Sequence, residues 1–491
     1  MDEVVDPPVA QGDVIIGTGG EMDTPVAVAR TAPLTAAQSR TLTVGLLLIA
    51  TIVAFESLAV STVMPLVEKD LGDLWLYGWV FSAFFLGSLV GTVVVGGLLD
   101  RGSLVVSLLA GLGLFAVGLT LGGLTPSMPV LVGARVLQGL GGGALSPVLY
   151  VAIGRSFDEM DRPRMFFLLS VAWVVPGIVG PAIAGLIGQA LTWRAVFLGL
   201  LPFIALAAVI TIPALAHVPG APAAGGSSAS TLRRLRAAVL LALGAALVVA
   251  GLTVGLTPAS VLLVLAGGLI ALPSIRRLSP PATLRLARGL PAAVGLRGVL
   301  TFAFFMADAY VPLLLVDWRG ATAAEAGVVL TAATLAWALG AWLQARAVVE
   351  RGVARLVGAG FLVVAIGVGT TLLVLVPAVP WAVSVLTWGL AGLGMGLAYA
   401  PLSLAVLSDA PAESVGAASS ALQVWDLLGT ALGTGLAGAM VAAGARAGLE
   451  AWVGLGAAFG VGTAVALFGG ATASRLTVRP VAASGPGLPL R

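Results

Sequence analysis

LVGARVLQGLGGGALSP, residues 131–147, sets Arg135 inside an apolar run. The polar loop GRSFDEMDRPR follows at 154–164, and a second apolar run carries VPGIVGPAIAG at 175–185. An arginine within a membrane helix costs roughly 2.5–3.5 kcal/mol on insertion scales, so Arg135 is expected to face a cavity or a partner. Proline in such a helix frees a backbone carbonyl that neighbouring helices or water must cover. The stretch therefore reads as two adjacent membrane helices built for close packing and for one buried charge.

Composition extends this reading to the whole chain. Of 491 residues 59% are apolar and 10% charged, with a mean hydropathy of +1.08. These values indicate a polytopic membrane protein. The pI near 9.8 does not indicate nucleic-acid binding, because the basic residues are spread over loops. There is no cysteine, which excludes disulfides and thiolate metal sites. The single histidine, His217, lies in a Pro/Gly-rich linker, so no histidine cluster for metal or catalysis exists and no cofactor is implied.

About 20 apolar residues cross a bilayer as a helix. Spans are expected at 42–67, 77–98, 103–124, 129–153, 165–190 and 195–213. A pair follows at 237–256 and 259–275, turning at Thr257-Pro258, and then six more at 292–316, 325–345, 353–376, 381–406, 415–444 and 449–471. The chain divides into a disordered cytoplasmic tail (1–41), a six-helix half (42–213), a linker holding the extra hairpin (214–291, hairpin 237–275), a second six-helix half (292–471) and a short cytoplasmic tail (472–491). With both termini cytoplasmic, twenty Lys and Arg residues fall inside and four outside, Arg297 being counted in the loop before the ninth span. That is a clear positive-inside bias. Trp75, Trp79, Trp193, Trp318, Trp381 and Trp452 fall at the outer ends, as an interfacial belt does.

Two motifs carry a resemblance. Arg135, Gln138, Gly139 and Gly141 match R-x-x-Q-G-x-G, and Gly180, Pro181, Ala184 and Gly185 match G-P-x-x-(G/A)-G, with Gly177 one residue off the usual leading glycine. In this order, on adjacent helices, they resemble the fourth- and fifth-helix signatures of the major facilitator superfamily. Six plus six helices with a central pair resembles its fourteen-helix drug:proton antiporter branch, over residues 42–471. The resemblance implies an all-α fold of two six-helix halves and alternating access. It also implies a helix bend at Gly180-Pro181. The loop after the second span, GGLLDRGSLVV, resembles the family's gating motif through Gly96, Leu98, Asp100 and Arg101. It departs from that motif at Ser103, Leu104 and Val105. The matching loop of the second half keeps Arg346, Glu350, Arg351 and Arg355 and is expected to share the latch.

Four charged residues are placed deep in spans: Glu56, Arg135, Asp308 and Asp426. Glu56 and Pro65 stand where the fourteen-helix branch has an aspartate and a proline in its first helix. Leu58 replaces the threonine of that pattern. Asp308 lies in the first helix of the second half, the counterpart of the helix carrying Glu56. Ser419, Gln423, Asp426 and Thr430 share one helix face, expected to line a polar cavity. A buried carboxyl that loads a proton on one side and releases it on the other serves proton coupling, and a cationic substrate can compete for it. Glu56 and Asp308 are the expected proton and cation sites, the alternative being a structural ion pair or a snorkelling edge residue. Asp426 fits the same role, a pairing with Arg135, or a helix end. Arg135 fits a relay, an anion contact or a structural cap. Gln138, Tyr150, Trp173, Tyr310, Trp388, Tyr399, Gln423 and Trp425 are candidate cavity walls.

The expected function is export of hydrophobic or cationic small molecules in exchange for protons, by a monomer in the cytoplasmic membrane. Export of one lipid or metabolite, or a non-transporting sensor, are the alternatives. An enzyme is disfavoured because the polar groups are isolated carboxylates on different helices.

Overall fold

The computed structural model describes residues 35–99, 103–216, 218 and 228–476. Among the described residues fourteen helices are long and apolar enough to cross a membrane, one at each expected span. They are α1 (Ala36–Leu71), α2 (Tyr77–Leu99), α3 (Leu104–Gly123), α4 (Met128–Ser156), α5 (Arg162–Ala190), α6 (Trp193–Leu215, interrupted at Gly199-Leu200) and α7 (Ser228–Val254). The rest are α8 (Pro258–Leu278), α9 (Leu290–Trp318), α10 (Ala323–Arg351), α11 (Val353–Leu375), α12 (Val383–Asp409), α13 (Val415–Arg446) and α14 (Trp452–Arg475). No strand occurs among the described residues.

The helices start earlier than hydropathy alone suggests. α1 begins at Ala36, within the stretch expected to be a disordered tail. Thr35 accepts from the Gln38 N–H at 3.2 Å while the Gln38 side chain accepts from the Thr35 N–H at 2.9 Å, a capping box that fixes the start. The polar residues 38–40 continue the helix where hydropathy sees only a tail. α7 likewise starts at Ser228, ahead of the expected 237, so the basic segment TLRRLR is helical. Thr257 caps α8 with Ser260, so the hairpin turns at the expected Thr257-Pro258.

Each half repeats one neighbour pattern. In the first, α2 packs on α4, α3 on α4 and α1 on α5; in the second, α10 packs on α12, α11 on α12 and α9 on α13. The two halves meet by exchange of equivalent partners, α5 on α10 and α13 on α2. Small residues make the tightest of these contacts. A Cβ on Gly139 would stand 2.1 Å from the Phe84 carbonyl, and one on Gly143 2.2 Å from that of Ser88. In the second half Gly392 and Gly396 meet the Ala333 and Trp337 carbonyls of α10 in the same way, each at 2.1 Å. Such approach is how membrane helices gain packing energy where no hydrophobic driving force separates helix from lipid. Pro147 frees the Gly143 carbonyl of α4, and Thr92 of α2 donates to it at 2.9 Å.

Contacts between the halves gather at one end. Lys69 of α1 pairs with Asp317 of α9 at 3.2 Å. Tyr77 donates to the Ala309 carbonyl at 3.3 Å and Ser82 to that of Ala431 at 2.8 Å, while Tyr310 sets its ring against Tyr77 and donates within its own half to the Thr434 carbonyl at 3.1 Å. Gly185 lies against the Ala323 carbonyl and Gly327 against that of Pro181. Toward the other end, the end of Ala36 and Arg475, the halves part. In α5 only Met165, Leu169 and Ala172 are buried before residue 176, a single stripe, whereas Pro176, Gly177, Gly180, Pro181, Ala184 and Gly185 are buried beyond it. In α10 Gly340 is the one buried residue after Ala333. The expected outer-end tryptophans all lie at the closed end.

The hairpin α7–α8 occupies the α2/α13 seam. Ala238, Leu241 and Ala245 of α7 pack among Leu86 and Leu89 of α2 and Val424 and Leu428 of α13. Arg446 of α13 donates to the Thr253 carbonyl at 2.5 Å, and Trp425 of α13 donates to Ser279 Oγ at 2.7 Å.

Glycine packing gives a direct test. Gly139→Leu is expected to lower the thermal transition in detergent by an amount worth at least the roughly 1–3 kcal/mol of ordinary overpacking. Gly133→Leu on the same helix, where nothing lies within 4 Å of the added Cβ, leaves it unchanged. Equal transitions for the two variants would refute the backbone contact.

Candidate functional site

Glu56, Arg135 and Gln138 come together. Arg135, 2% exposed, pairs through Nη1 with the carboxylate of Glu56, 1% exposed, and donates to the Gln138 side-chain carbonyl. Its Nε donates to the Val80 carbonyl at 3.1 Å, and its guanidinium lies 4.3 Å from the Phe84 ring centre. Arg135 thus pairs with Glu56 of α1 and not with Asp426. Removing either partner of such a pair leaves an uncompensated buried charge and costs about 3–5 kcal/mol. Glu56 Oε2 and Gln138 Nε2 have no partner among the described residues.

Asp426 pairs instead with Arg297. Arg297 Nε lies 4.0 Å from Asp426 Oδ1, its Nη2 donates to Ser403, and its guanidinium stands 3.5 Å over the Tyr399 ring. Tyr399 completes the group by donating its hydroxyl to Asp426 Oδ2 at 3.0 Å. Counting Arg297 in a loop was an error of the sequence reading. It lies within α9 and is 2% exposed, so five charged residues lie deep in spans rather than four. The clue was its position inside the expected 292–316 span, masked by the four loop arginines before it.

Asp308 stands apart. It closes the first segment of α9, which breaks at Ala309-Tyr310 and resumes at Val311. Pro312 supplies the reason: it has no N–H for the Asp308 carbonyl, and its ring disfavours a continuous helix. Asp308 is half-buried and makes no ion pair among the described residues. Its carboxyl approaches the indole of Trp388, whose buried Nε1 has no partner within hydrogen-bond distance.

Aromatic rings connect these groups. Phe84 meets Phe85 at 5.4 Å, Phe85 meets Phe305 across the halves at 6.3 Å, and Phe305 meets Phe304 at 5.2 Å. Phe304 stacks on Trp388 at 5.1 Å and meets Trp337 at 5.8 Å, which meets Tyr399 at 5.4 Å. The row runs from the ring under Arg135 to the ring under Arg297. Only Trp388 and Tyr399 of this row were among the expected cavity walls.

The other expected residues divide. Gly180, Pro181 and Gly185 lie at the α5 contacts with α1 and α10, with α5 one continuous helix. Gly180 faces Phe55, while Pro181 and Gly185 face Gly327 and Ala323. Tyr310 belongs to the closed end, its ring 5.2 Å from Tyr77. Trp425 holds the hairpin and packs on Gly298. Tyr150 is exposed and stacks on Phe166, and Trp173 is also exposed. The α13 face runs from exposed Gln423 to buried Thr430. Arg346 lies over the Trp342 ring, and none of Arg346, Glu350, Arg351 and Arg355 forms an ion pair among the described residues. The gating residues Asp100 and Arg101 lie outside the described residues. No group of three or more His, Cys, Asp or Glu that could hold a metal occurs among the described residues.

The Major Facilitator Superfamily model matches residues 46–434. The chain belongs to that superfamily. This major facilitator is 29% identical over 395 residues to a probable multidrug-efflux transporter of Mycobacterium tuberculosis, covering 77% of this chain and 83% of the relative. It is 26% identical over 411 residues to the multidrug transporter protein MdtP of Bacillus subtilis, covering 81% and 74%. A solved peptide transporter, POT, shares the fold with a TM-score of 0.65 at 16% identity, covering 88% of this chain and 94% of that one. A bacterial homologue of the human lysosomal transporter Spinster, solved inward-facing, has a TM-score of 0.64 at 14% identity, with 90% and 97% covered. Family and fold together make the protein a multi-pass membrane transporter, not an enzyme.

A double-mutant cycle checks the buried pair. Glu56→Gln and Arg135→Met are each expected to lower the thermal transition strongly, and the double variant to recover part of the loss, since the orphaned charge is gone. Additive losses would show that the pair is not coupled.

Proposed function

We propose that this major facilitator is a proton-coupled exporter of hydrophobic or cationic small molecules, working by alternating access in the cell membrane with both termini cytoplasmic. The observation that carries the reading is Asp308. It is a carboxyl at membrane depth with no arginine partner among the described residues, on a helix broken at that residue. An unpaired intramembrane carboxylate is costly, so protonation removes the penalty, and such residues mark proton or ion paths. Discontinuous membrane helices are where transporters place coupling ions and substrate. Glu56, held by Arg135, serves as the second coupling carboxyl, with Arg135 as its relay. The multidrug relatives support the substrate class, and the arginine-rich open end supports the orientation.

Alternating access follows from the contacts that close one end only. Opening that end means parting Lys69 from Asp317, Tyr77 from the Ala309 carbonyl, and α5 from α10 along Pro181–Gly185. Close glycine contacts with no interlocking side chains suit a surface that must separate and re-form. One charge moved across 100 mV supplies about 2.3 kcal/mol, so one proton per cycle sustains a useful gradient.

The test is proton flux in proteoliposomes with an imposed pH gradient and a panel of lipophilic compounds. Wild type is expected to show compound-dependent flux that Asp308→Asn abolishes while folding is retained, because Asp308 has no ion partner to orphan. Undiminished flux in Asp308→Asn would sink its role. The natural chain has no cysteine, so a Lys69→Cys/Asp317→Cys variant carries the only thiols. Joining them with a cleavable bifunctional thiol reagent is expected to stop turnover, and reduction to restore it. Full activity of the joined protein would rule out opening at this end.

A further inference from the structure

The two arginine–carboxylate pairs differ in a way that points to a ligand. Glu56 and Arg135 are in direct contact. Arg297 and Asp426 are held apart: 4.0 Å separates Arg297 Nε from Asp426 Oδ1, beyond a hydrogen bond. Both of those atoms, and Arg297 Nη1, have no hydrogen-bond partner among the described residues. Arg297 cannot turn to satisfy them. Its Nη2 is taken by Ser403 and its face by the Tyr399 ring. Asp426 is held from its other oxygen by Tyr399. A buried guanidinium with two free donors thus stands beside a free carboxylate oxygen just beyond hydrogen-bond range, so one head group approaching from the side can reach both.

Position and surroundings fit the entrance of a binding site. Arg297 lies seven residues into α9 from the open end. Asp426 is 24% exposed, and Gln423, one turn nearer that end, is exposed. On the far side of Tyr399 lies the partly exposed Trp337, a flat surface for an apolar body, backed by the buried Phe304. Charge sets the kind of head group. Guanidinium and carboxylate cancel, and the guanidinium is fixed beside the gap, so a permanent cation placed there is repelled by it. A neutral head that donates to Asp426 Oδ1 and accepts from Arg297 satisfies both sides.

We infer that Arg297, Asp426, Tyr399 and Ser403 form the receptor for the polar head of the transported compound, and that this head donates and accepts hydrogen bonds, as a primary amide or an un-ionised acid does, rather than being a quaternary ammonium. The inference rests on the exporter reading and narrows its substrate class; the coupling carboxylates Asp308 and Glu56 take no part in it.

The test compares two probes with one aromatic body, pyrenebutanamide and pyrenebutyl-trimethylammonium. They are titrated by fluorescence into the full-length protein in nanodiscs, with empty nanodiscs subtracted. The amide is expected to bind about tenfold more tightly than the ammonium, the scale of hydrogen bonds to charged groups. Arg297→Lys, which keeps the charge and loses the planar fork, is expected to weaken the amide about tenfold and leave the ammonium unchanged or tighter. Tyr399→Phe keeps the ring under Arg297 and releases Asp426, and a smaller loss for the amide is expected. An ammonium bound at least as tightly as the amide by wild type overturns the inference. So does amide binding that neither folded variant changes. If compound-driven proton flux persists alongside either result, the exporter reading stands without this site. Absence of flux with every compound counts against that reading itself.

Discussion

The approach of α2 to α4 governs much of this molecule. Without side chains at Gly139 and Gly143, the two backbones come close enough for a single methyl group to collide with a carbonyl. That closeness brings the Val80 carbonyl within reach of Arg135 and sets the Phe84 ring under its guanidinium. Arg135 can then be held beside Glu56 in a place where water cannot help. α10 and α12 repeat the device at Gly392 and Gly396, and there it seats Trp337 next to Tyr399, the ring under Arg297. Packing of small residues and placement of charge are thus one problem with one solution, used twice.

The second half does not copy the charges of the first. Glu56 and Arg135 sit on α1 and α4; Arg297 and Asp426 sit on α9 and α13, the counterparts of α1 and α5. One pair is in contact and the other is parted, while Asp308 has no cation partner among the described residues. Three carboxylates at membrane depth therefore experience three electrostatic settings: neutralised, partly neutralised and alone. Division of labour among them needs no further charged residue. The aromatic row from Phe84 to Tyr399 gives the space between them an apolar lining that crosses from one half to the other at Phe85 and Phe305.

Fourteen spans were legible because each is a long apolar run, and the order of two motifs identified the family. Helix starts at Ala36 and Ser228 were missed for one reason. Hydropathy measures what lies in lipid, and both helices begin beyond it, in polar residues that capping and periodicity keep helical. Arg297 was missed because it follows a cluster of loop arginines, and a charge count cannot see the helix turn that buries it. Tyr310 and Trp425 were expected on a cavity wall. Composition marks an aromatic residue as useful but not which neighbour it meets, and these two meet the closing contact and the hairpin. Partner choice across helices, such as Arg135 with Glu56, depends on packing that spacing along one helix does not encode.

The hairpin is fastened unevenly. Both hydrogen bonds described for it, Arg446 to the Thr253 carbonyl and Trp425 to Ser279, run to α13. Toward α2 it offers alanines and leucines that touch hydrocarbon. Hydrogen bonds in a membrane fix a register that apolar packing alone holds less firmly. A shift between the two six-helix bodies would tend to carry α7 and α8 with the second, since only α13 holds them by hydrogen bonds among those described.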